Sequence, residues 1–364
     1  MRCVVDHRGS VSEPTRGRVR IAVDAMGGDH GPRVIVPGTL AALDRLAPDV
    51  GVFLLGDEQR IRAAARHLPP ERVEIVHAPD EVSMDDSPAT AVRRKPNSSL
   101  ARALALVKEG RAEAIMSAGS TGAVVAGALL VLGRTPGVQR PAIATLFPTD
   151  RGRSVLLDVG ANAECKPQHL VQFAAMGAVY ARIHLGREAP RVGLLNIGEE
   201  ASKGNELASA AHALLRDSGL NFVGNVEGRD VLSGRTDVVV CDGFVGNIVL
   251  KFAESMLRFM TRQIRAQIRN SWRVKLGALL MRPGFHAMRQ RLDYQEEGGA
   301  PLLGVKRTVV IAHGKSTERA VENAVALCAE LASNELPRQI AELLEDVGTH
   351  VSLQGGPEPE AREA

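Results

Sequence analysis

At 364 residues the chain is long enough for one large α/β domain or two ordinary ones, and 45 Lys and Arg against 42 Asp and Glu leave a formal net charge of only +3, which excludes a wholly basic nucleic-acid binder. Hydrophobic residues make up 45% and charged residues 24%, an ordinary globular mix that excludes disorder for most of the chain. Aromatics at 3% argue against base-stacking platforms, and 36 glycines signal many tight turns or close backbone approaches.

The first residues, to about Arg18, lack an apolar core and read as a loose arm rather than a signal peptide. From Val19 onward, apolar runs alternate with helical patterns. The strand-like runs are 19–25, 50–56, 72–78, 112–118, 154–160, 191–198, 221–226, 237–243 and 307–314. They are nearly continuous in apolar character, as strands covered on both faces are. Helical stretches such as 99–110 and 205–219 separate most of them. The alternation implies a mostly parallel sheet between two helical layers. One α/β body is expected over 19–345, with a 1–18 arm before it and a 346–364 tail after it. The longest apolar stretch, Ala123 to Leu132, is half of the roughly 20 residues a membrane span needs.

Six of these strands end alike, in VDAMGGD, MSAGSTG, LDVGANAE, LNIGEEASKGNE, CDGFVGN and AHGKS. Each runs into Gly plus a carboxylate, hydroxyl or amide. Ligands bind at the carboxyl ends of strands in open parallel sheets, so the six are expected to share one cleft. Asp24 and Asp29 flank Gly27 and Gly28 and could orient a lysine, hold a metal or take a proton; an ordinary helix cap by Asp29 is the plainer account. Ser117, Gly119, Ser120, Thr121 and Gly122 precede an apolar helix, and their small side chains leave N–H groups open for a phosphate; a plain helix start competes. Asp158, Asn162 and Lys166 fall within nine residues, and Lys203 and Asn205 precede another helix. Lysines can neutralise phosphate and amides can hold an oxyanion, unless they are merely solvated loop residues. Asp242 and Asn247 repeat the theme. Gly314 to Thr317 looks like the end of a P-loop, but Val309 stands where the first glycine belongs, so the motif fails. No GxGxxG, GxSxG or HExxH occurs, and no metal site is expected. Cys3, Cys165, Cys241 and Cys328 form no CxxC pair and fit a reducing cytosol.

The segment 251–291 breaks the alternation and reads as two helices around a bend near Arg282-Pro283-Gly284. It holds ten basic residues and one acid, Glu254, for a net +9, so the rest of the chain is mildly acidic. Phe252, Met256, Met260, Ile264 and Ile268 fall on one stripe; Arg258, Arg262, Arg265, Arg269 and Arg273 lie opposite. Trp272, Leu276, Leu279, Leu280, Met281 and Phe285 form an apolar tip. The hairpin could lie on an anionic membrane, dock an acidic protein, or pack in a dimer.

IAVDAMGGDHGP, SAGSTGA, LLDVGANAECKPQHLVQFAAMGAVYA, LLNIGEEASKGNEL, VVVCDGFVGNIVLK and AHGKSTERAVENAV, in this order over roughly Arg20 to Leu344, resemble the phosphate acyltransferase family of bacterial phospholipid synthesis. The extra N-terminal arm and the Arg-rich hairpin are this chain's departures. The resemblance implies a three-layer α/β/α fold similar to phosphate acetyltransferases and isopropylmalate dehydrogenases, with a protruding helical hairpin. It implies transfer of a fatty acyl group from acyl carrier protein to inorganic phosphate, the acyl phosphate then serving a membrane glycerol 3-phosphate acyltransferase. It further implies a cytoplasmic homodimer, peripheral on the inner membrane face, with no cofactor and no nucleic acid. On this reading Lys166 and Lys203 meet phosphate charge, Asn162, Asn205 and Asn247 hold the oxyanion, and Asp24 or Asp242 orients them. Gly27, Gly28, Ser117, Gly119, Ser120, Thr121, Gly122, Gly314 and Ser316 cradle the phosphate. Arg258, Arg262, Arg265, Arg269, Trp272, Leu279 and Leu280 meet membrane or partner. Direct attack by phosphate is favoured over a covalent step on Cys165 or Cys241, since buried thiols are usually inert. A coenzyme A-dependent short-chain enzyme and a non-catalytic membrane scaffold are the alternatives.

Overall fold

The apolar runs become eleven strands of one sheet among the described residues, ordered β3-β2-β1-β4-β11-β10-β5-β6-β9-β7-β8. The computed structural model describes residues 19–354 apart from 84–85, 89, 270–271, 286–287 and 289–297. The first half runs β1 (Arg20–Asp24), α1 (Pro32–Arg45), β2 (Gly51–Gly56), α2 (Glu58–Ala64), β3 (Val73–His77), α3 (Ala91–Arg94), α4 (Ser99–Lys108), β4 (Ala114–Ser117) and α5 (Thr121–Val131). The second half runs β5 (Ala142–Thr149), β6 (Gly152–Leu157), α6 (Pro167–Leu185), β7 (Val192–Leu195), α7 (Glu206–Arg216), β8 (Phe222–Val226) and β9 (Val238–Val240). Then come α8 (Gly243–Arg269), α9 (Trp272–Leu280), β10 (Ala300–Leu303), β11 (Thr308–Ile311), α10 (Glu318–Ser333) and α11 (Leu336–Gln354).

Both faces of the sheet are covered, which confirms the three-layer α/β/α expectation. Along β1, Ile21 and Val23 point into one core with α1, α6, α10 and α11; Ala22 points into the other with α4 and α5. Each fully buried Ile or Leu of this kind is worth about 1.5–3 kcal/mol. Glycines set two close helix contacts. A Cβ on Gly177 of α6 would lie 2.6 Å from Val238 Cγ1, so that helix rests directly on β6 and β9. A Cβ on Gly38 of α1 would lie 2.5 Å from the Glu318 carbonyl, so α1 touches α10.

Two strands, β5 and β10, fall outside the expected nine, and they decide the topology. β10 pairs antiparallel with both β11 and β5, and β5 pairs antiparallel with β6. Three antiparallel pairings in a row reverse the direction of the sheet. Strands β1, β2, β3, β4 and β11 therefore run one way, and β6, β7, β8 and β9 the other. The six similar strand ends consequently leave from two edges, three from each, and the expectation of one cleft shared within this chain is corrected.

The ends of the chain differ in detail as well. α11 continues to Gln354, past residue 346 where a tail was expected. The basic segment breaks between Arg269 and Trp272, which was not expected, and again at Met281, where α9 gives way to a turn just before Arg282-Pro283-Gly284, as expected. Met281 and Phe285 donate backbone hydrogen bonds to Gly277 and Met281, each at 3.0 Å, so helical bonding continues into the Pro283 turn. A proline is tolerated there because it sits in a first turn, where its missing N–H has no partner to lose. Arg289 and Arg291 lie outside the described residues. Among the described residues no helix is long and apolar enough to cross a membrane.

Candidate active site

The first group of strand ends gathers around Asp24 at the close of β1. Asp24 is buried, and its Oδ2 accepts the hydroxyl of Ser117, from the end of β4, at 2.7 Å. Ser117 Oγ in turn accepts the N–H of Gly119 at 3.1 Å. Burial pushes the Asp24 carboxyl above its ordinary range, against the pull of the Ser117 and Ser99 hydroxyls and the N–H groups of Met26 and Gly27. The turn is tight because it must be: a Cβ on Gly27 would stand 2.8 Å from the Gly119 nitrogen. Gly28 has φ +82°, and a Cβ there would meet the Gly314 carbonyl at 3.0 Å. That carbonyl accepts the Asp29 N–H at 2.8 Å, which joins the β1 and β11 turns.

This group lies where the chain order reverses between β1 and β4, the usual ligand crevice of such sheets. It leaves the start of α5 without a side-chain cap. Ser98, Asn205 and Thr317 place side-chain oxygens on the first turns of α4, α7 and α10. Ser120, before α5, makes no such bond. The first N–H groups of α5 therefore carry no side-chain cap beside Ser120, Thr121 and Gly122, an arrangement suited to an anion. Ser117 has a different part from the one expected: fully buried, it braces Asp24 and does not face a ligand.

The second group gathers around Asp158, which follows β6 and is fully buried. Its Oδ1 accepts N–H groups of Ile143 at 3.0 Å, Gly160 at 3.1 Å and Ala161 at 3.0 Å. Its Oδ2 accepts the backbone N–H of Asn162 at 2.7 Å and the Asn162 amide at 2.9 Å. Burial still pushes this carboxyl upward, against those donors. Asn162 gives its amide to Pro141 O at 2.7 Å and to Asp158, so the amide expected to face an oxyanion is committed to the loop. The Asn162 carbonyl accepts the Gly243 N–H at 2.9 Å, which ties α8 to the same knot.

The remaining candidates leave from the same edge of the sheet. Asp242 Oδ1 accepts the Val245 N–H at 2.9 Å and caps α8. Asn247 lies over Gly160, where a Cβ would be 3.5 Å from its amide carbon. Asn205 Oδ1 caps α7 through Ala208 N–H at 2.9 Å, so its carbonyl end is occupied. Lys166 precedes α6 and Lys203 follows β7; both are exposed, and no ion pair is recorded for either among the described residues. His169 accepts the Lys166 N–H at 3.0 Å, and burial together with Arg140 and Lys166 holds its imidazole below the ordinary value. Burial pushes the Cys165 thiol up to about 11 and Cys241 well above its usual value, so neither is a thiolate at neutral pH. Among the described residues no group of three His, Cys, Asp or Glu could hold a metal.

Two residues of the site escape a reading by motif. Ser99 reaches Asp24 from the start of α4, signalled only by the Ser98-Ser99 pair before an apolar helix. Asn196, after β7, accepts the Ile197 N–H at 2.8 Å and donates to the Lys203 carbonyl at 2.9 Å, closing the loop that carries Lys203.

Known proteins share this architecture. Residues 19–339 match a family model described as "Fatty acid synthesis protein". A phosphate acyltransferase of Pelotomaculum thermopropionicum is 48% identical over 330 residues, covering 90% of this chain and 96% of that protein. One from Heliobacterium modesticaldum is 51% identical over 310 residues, covering 84% and 92%. Among solved structures, a Streptococcus pyogenes phosphotransacetylase superposes with a TM-score of 0.56 at 18% identity, covering 90% of this chain and 95% of that one. The EutD phosphotransacetylase of Staphylococcus aureus gives 0.55 at 18%, covering 87% and 95%. Those two likenesses speak for the fold alone. Identity near one half over nearly the whole length speaks for descent, and the chain belongs to the phosphate acyltransferase family.

Proposed function

We propose that this protein transfers a fatty acyl group from acyl carrier protein to inorganic phosphate, forming the acyl phosphate that a membrane glycerol 3-phosphate acyltransferase consumes. A phosphate oxygen attacks the thioester carbonyl. The C–O bond forms, the C–S bond breaks, and the proton of hydrogen phosphate ends on the departing thiol. Phosphate is already a nucleophile, and this agrees with protonated Cys165 and Cys241 and with a Ser117 hydroxyl buried against Asp24. Backbone N–H groups and lysines supply the positive field that a developing oxyanion needs.

The observation that carries a long-chain, carrier-bound donor is where α8 begins and what it exposes. It starts at the Asp242 turn, bonded to the Asp158 knot, and its 27 residues reach ~40 Å at 1.5 Å rise per residue. Phe244, Ile248, Phe252, Met256 and Met260 along it are exposed, as are the arginines of the opposite face and Trp272, Leu279 and Leu280 of α9. A short soluble thioester has no use for such an arm. A lipid product, an acidic carrier and a membrane surface do, and a second copy of the chain would cover part of its apolar side.

The test supplies the protein with phosphate and either palmitoyl-acyl carrier protein or palmitoyl-coenzyme A. Hydroxylamine-trappable acyl phosphate formed from the carrier-protein donor alone is the expected result. Equal formation from coenzyme A, or none from either donor, overturns the reading.

A further inference from the structure

The loop 196–205, between β7 and α7, carries Lys203, and one carbonyl inside it takes two donors. Glu200 O accepts the Lys203 N–H at 3.0 Å and the side-chain Nδ2 of Asn225, from β8, at 2.8 Å. Asn225 is buried, and its Oδ1 lies 3.1 Å from Nδ1 of His212 on α7. Chemistry fixes the direction of this chain. A carbonyl only accepts, so Asn225 must turn its amide nitrogen to Glu200 and its oxygen to His212, which must then carry a proton on Nδ1. The Phe222 ring meets the same imidazole edge-on, with centroids 5.1 Å apart.

Phe222 and Asn225 stand three residues apart on one strand, and in a regular strand they would face opposite ways. A bulge brings them to one side. Val192 pairs with Phe222 and Leu194 with Asn225, so Val223 and Gly224 together oppose the single residue Gly193. Gly224 has φ +97° and a Cβ there would meet nothing, so the backbone conformation, and not crowding, asks for glycine. The extra residue reverses the parity of β8 and turns Asn225 toward His212. The loop is built around the same point. Asn196 donates to the Lys203 carbonyl at 2.9 Å, and a Cβ on Gly198 would stand 2.9 Å from Lys203 Cγ, so the stem of the lysine lies across Gly198.

We infer that Asn225, aimed by the β8 bulge and held by His212, is a positioning residue: it fixes the Glu200 carbonyl and with it the backbone from which Lys203 reaches phosphate. The inference rests on the reading that gives Lys203 to phosphate charge. Asn225 touches no reacting atom itself. Without its amide, the loop must be ordered at the moment phosphate binds, and that entropy is lost from the affinity. The acyl donor, which does not depend on Lys203, is spared.

Asn225→Asp tests this, because it keeps the size of the side chain and removes the donor to Glu200. It is expected to raise KM for phosphate about fivefold, the worth of one hydrogen bond, and to leave KM for the acyl donor within about twofold. His212→Ala should do the same, and His212→Asn, whose amide nitrogen can stand where Nδ1 stands, should recover most of the loss. In a Lys203→Ala background Asn225→Asp should add nothing to KM for phosphate. Hydrogen exchange over residues 197–204, read by mass spectrometry without turnover, should speed up in Asn225→Asp and stay unchanged in β1, β2 and β4. Unchanged exchange in that loop overturns the inference, as does an equal rise in both KM values. Unchanged KM for phosphate in Asn225→Asp overturns it where Lys203→Ala alone raises that KM. Where Lys203→Ala leaves KM for phosphate alone as well, the phosphate reading of that lysine falls and takes the inference with it.

Discussion

Gly246 of α8 lies so close to Asp158 that a Cβ on it would stand 1.9 Å from the Asp158 carbonyl oxygen. The helix that carries the basic arm is thus seated on the most heavily hydrogen-bonded carboxylate of the second strand-end group. Gly246→Ala has no flexible side chain to push aside, only backbone. It is expected to destabilise the fold by about 3 kcal/mol or more, the upper range for overpacking. Gly277→Ala, in α9 with nothing within 4 Å of its Cβ, should instead be neutral or stabilising by up to about 1 kcal/mol through helix propensity. Urea unfolding of both variants checks the pair, and a Gly246→Ala midpoint equal to that of the unsubstituted protein refutes the contact.

Asp24 gives a prediction whose sign follows from its burial. Its carboxyl titrates higher in the folded chain than in the unfolded one, because burial disfavours the charged form. A group raised in this way contributes stability that is fully present below its unfolded value and is lost as pH rises through the folded value. Asp24→Asn removes that loss. The variant's melting temperature should therefore fall less than that of the unsubstituted protein as pH rises from about 4 to 7. Its turnover should nevertheless drop more than tenfold, since the Asp24–Ser117 brace sets the turn that positions Gly119 and α5. Parallel melting curves across that range, or intact turnover, contradict the assignment.

The alternation of strands and helices was legible because apolar runs and helical periods report burial on two faces, and all nine expected strands exist. What escaped was β5 and β10. β5 ends through Pro148, and β10 is four residues containing Pro301; proline removes a ladder donor and makes a short run look like a loop. Their absence hid the reversal of the sheet, so six alike motifs looked like one cleft. The spacing of Asp158, Asn162 and Lys166 likewise pointed to Asn162 as a free amide donor. Only the hydrogen-bond accounting reveals that Asp158 and Pro141 consume it. Lys166 and Lys203 stay exposed at the second group, as solvated side chains on βα loops do.

Those two lysines decide which strand-end group holds the phosphate. A charged hydrogen bond of this type is worth about 1.5–3 kcal/mol. Lys166→Ala and Lys203→Ala are each expected to raise KM for phosphate at least tenfold, with smaller effects on the acyl donor. The arginine variants should recover part of the loss, since they keep the charge and change its shape. Unchanged KM for phosphate in both alanine variants would move the nucleophile to the uncapped start of α5 and remove the lysines from the mechanism.

The last prediction concerns the arm. Along α8, Arg258, Arg262, Arg265 and Arg269 are exposed, and Glu254, which pairs with Arg258 at 3.3 Å, is the one acid of its 251–291 segment. Attraction of such a face to anionic lipid gives about 1 kcal/mol per basic residue near the surface and is screened within about 8 Å at physiological salt. Trp272, Leu279 and Leu280 add apolar contact that salt does not weaken; the Arg273 guanidinium packs over the Trp272 ring at 5.6 Å and leaves the indole 70% exposed. The protein should therefore sediment with phosphatidylglycerol vesicles at low salt and largely leave them at high salt. Charge reversal of the four arginines should abolish the salt-sensitive part, while Trp272→Ala with Leu279→Ala and Leu280→Ala should weaken binding at every salt concentration. Equal sedimentation with neutral vesicles in high salt would show that charge has no part in it. Failure to bind anionic vesicles at low salt would leave the arm's basic face to an acidic carrier protein instead.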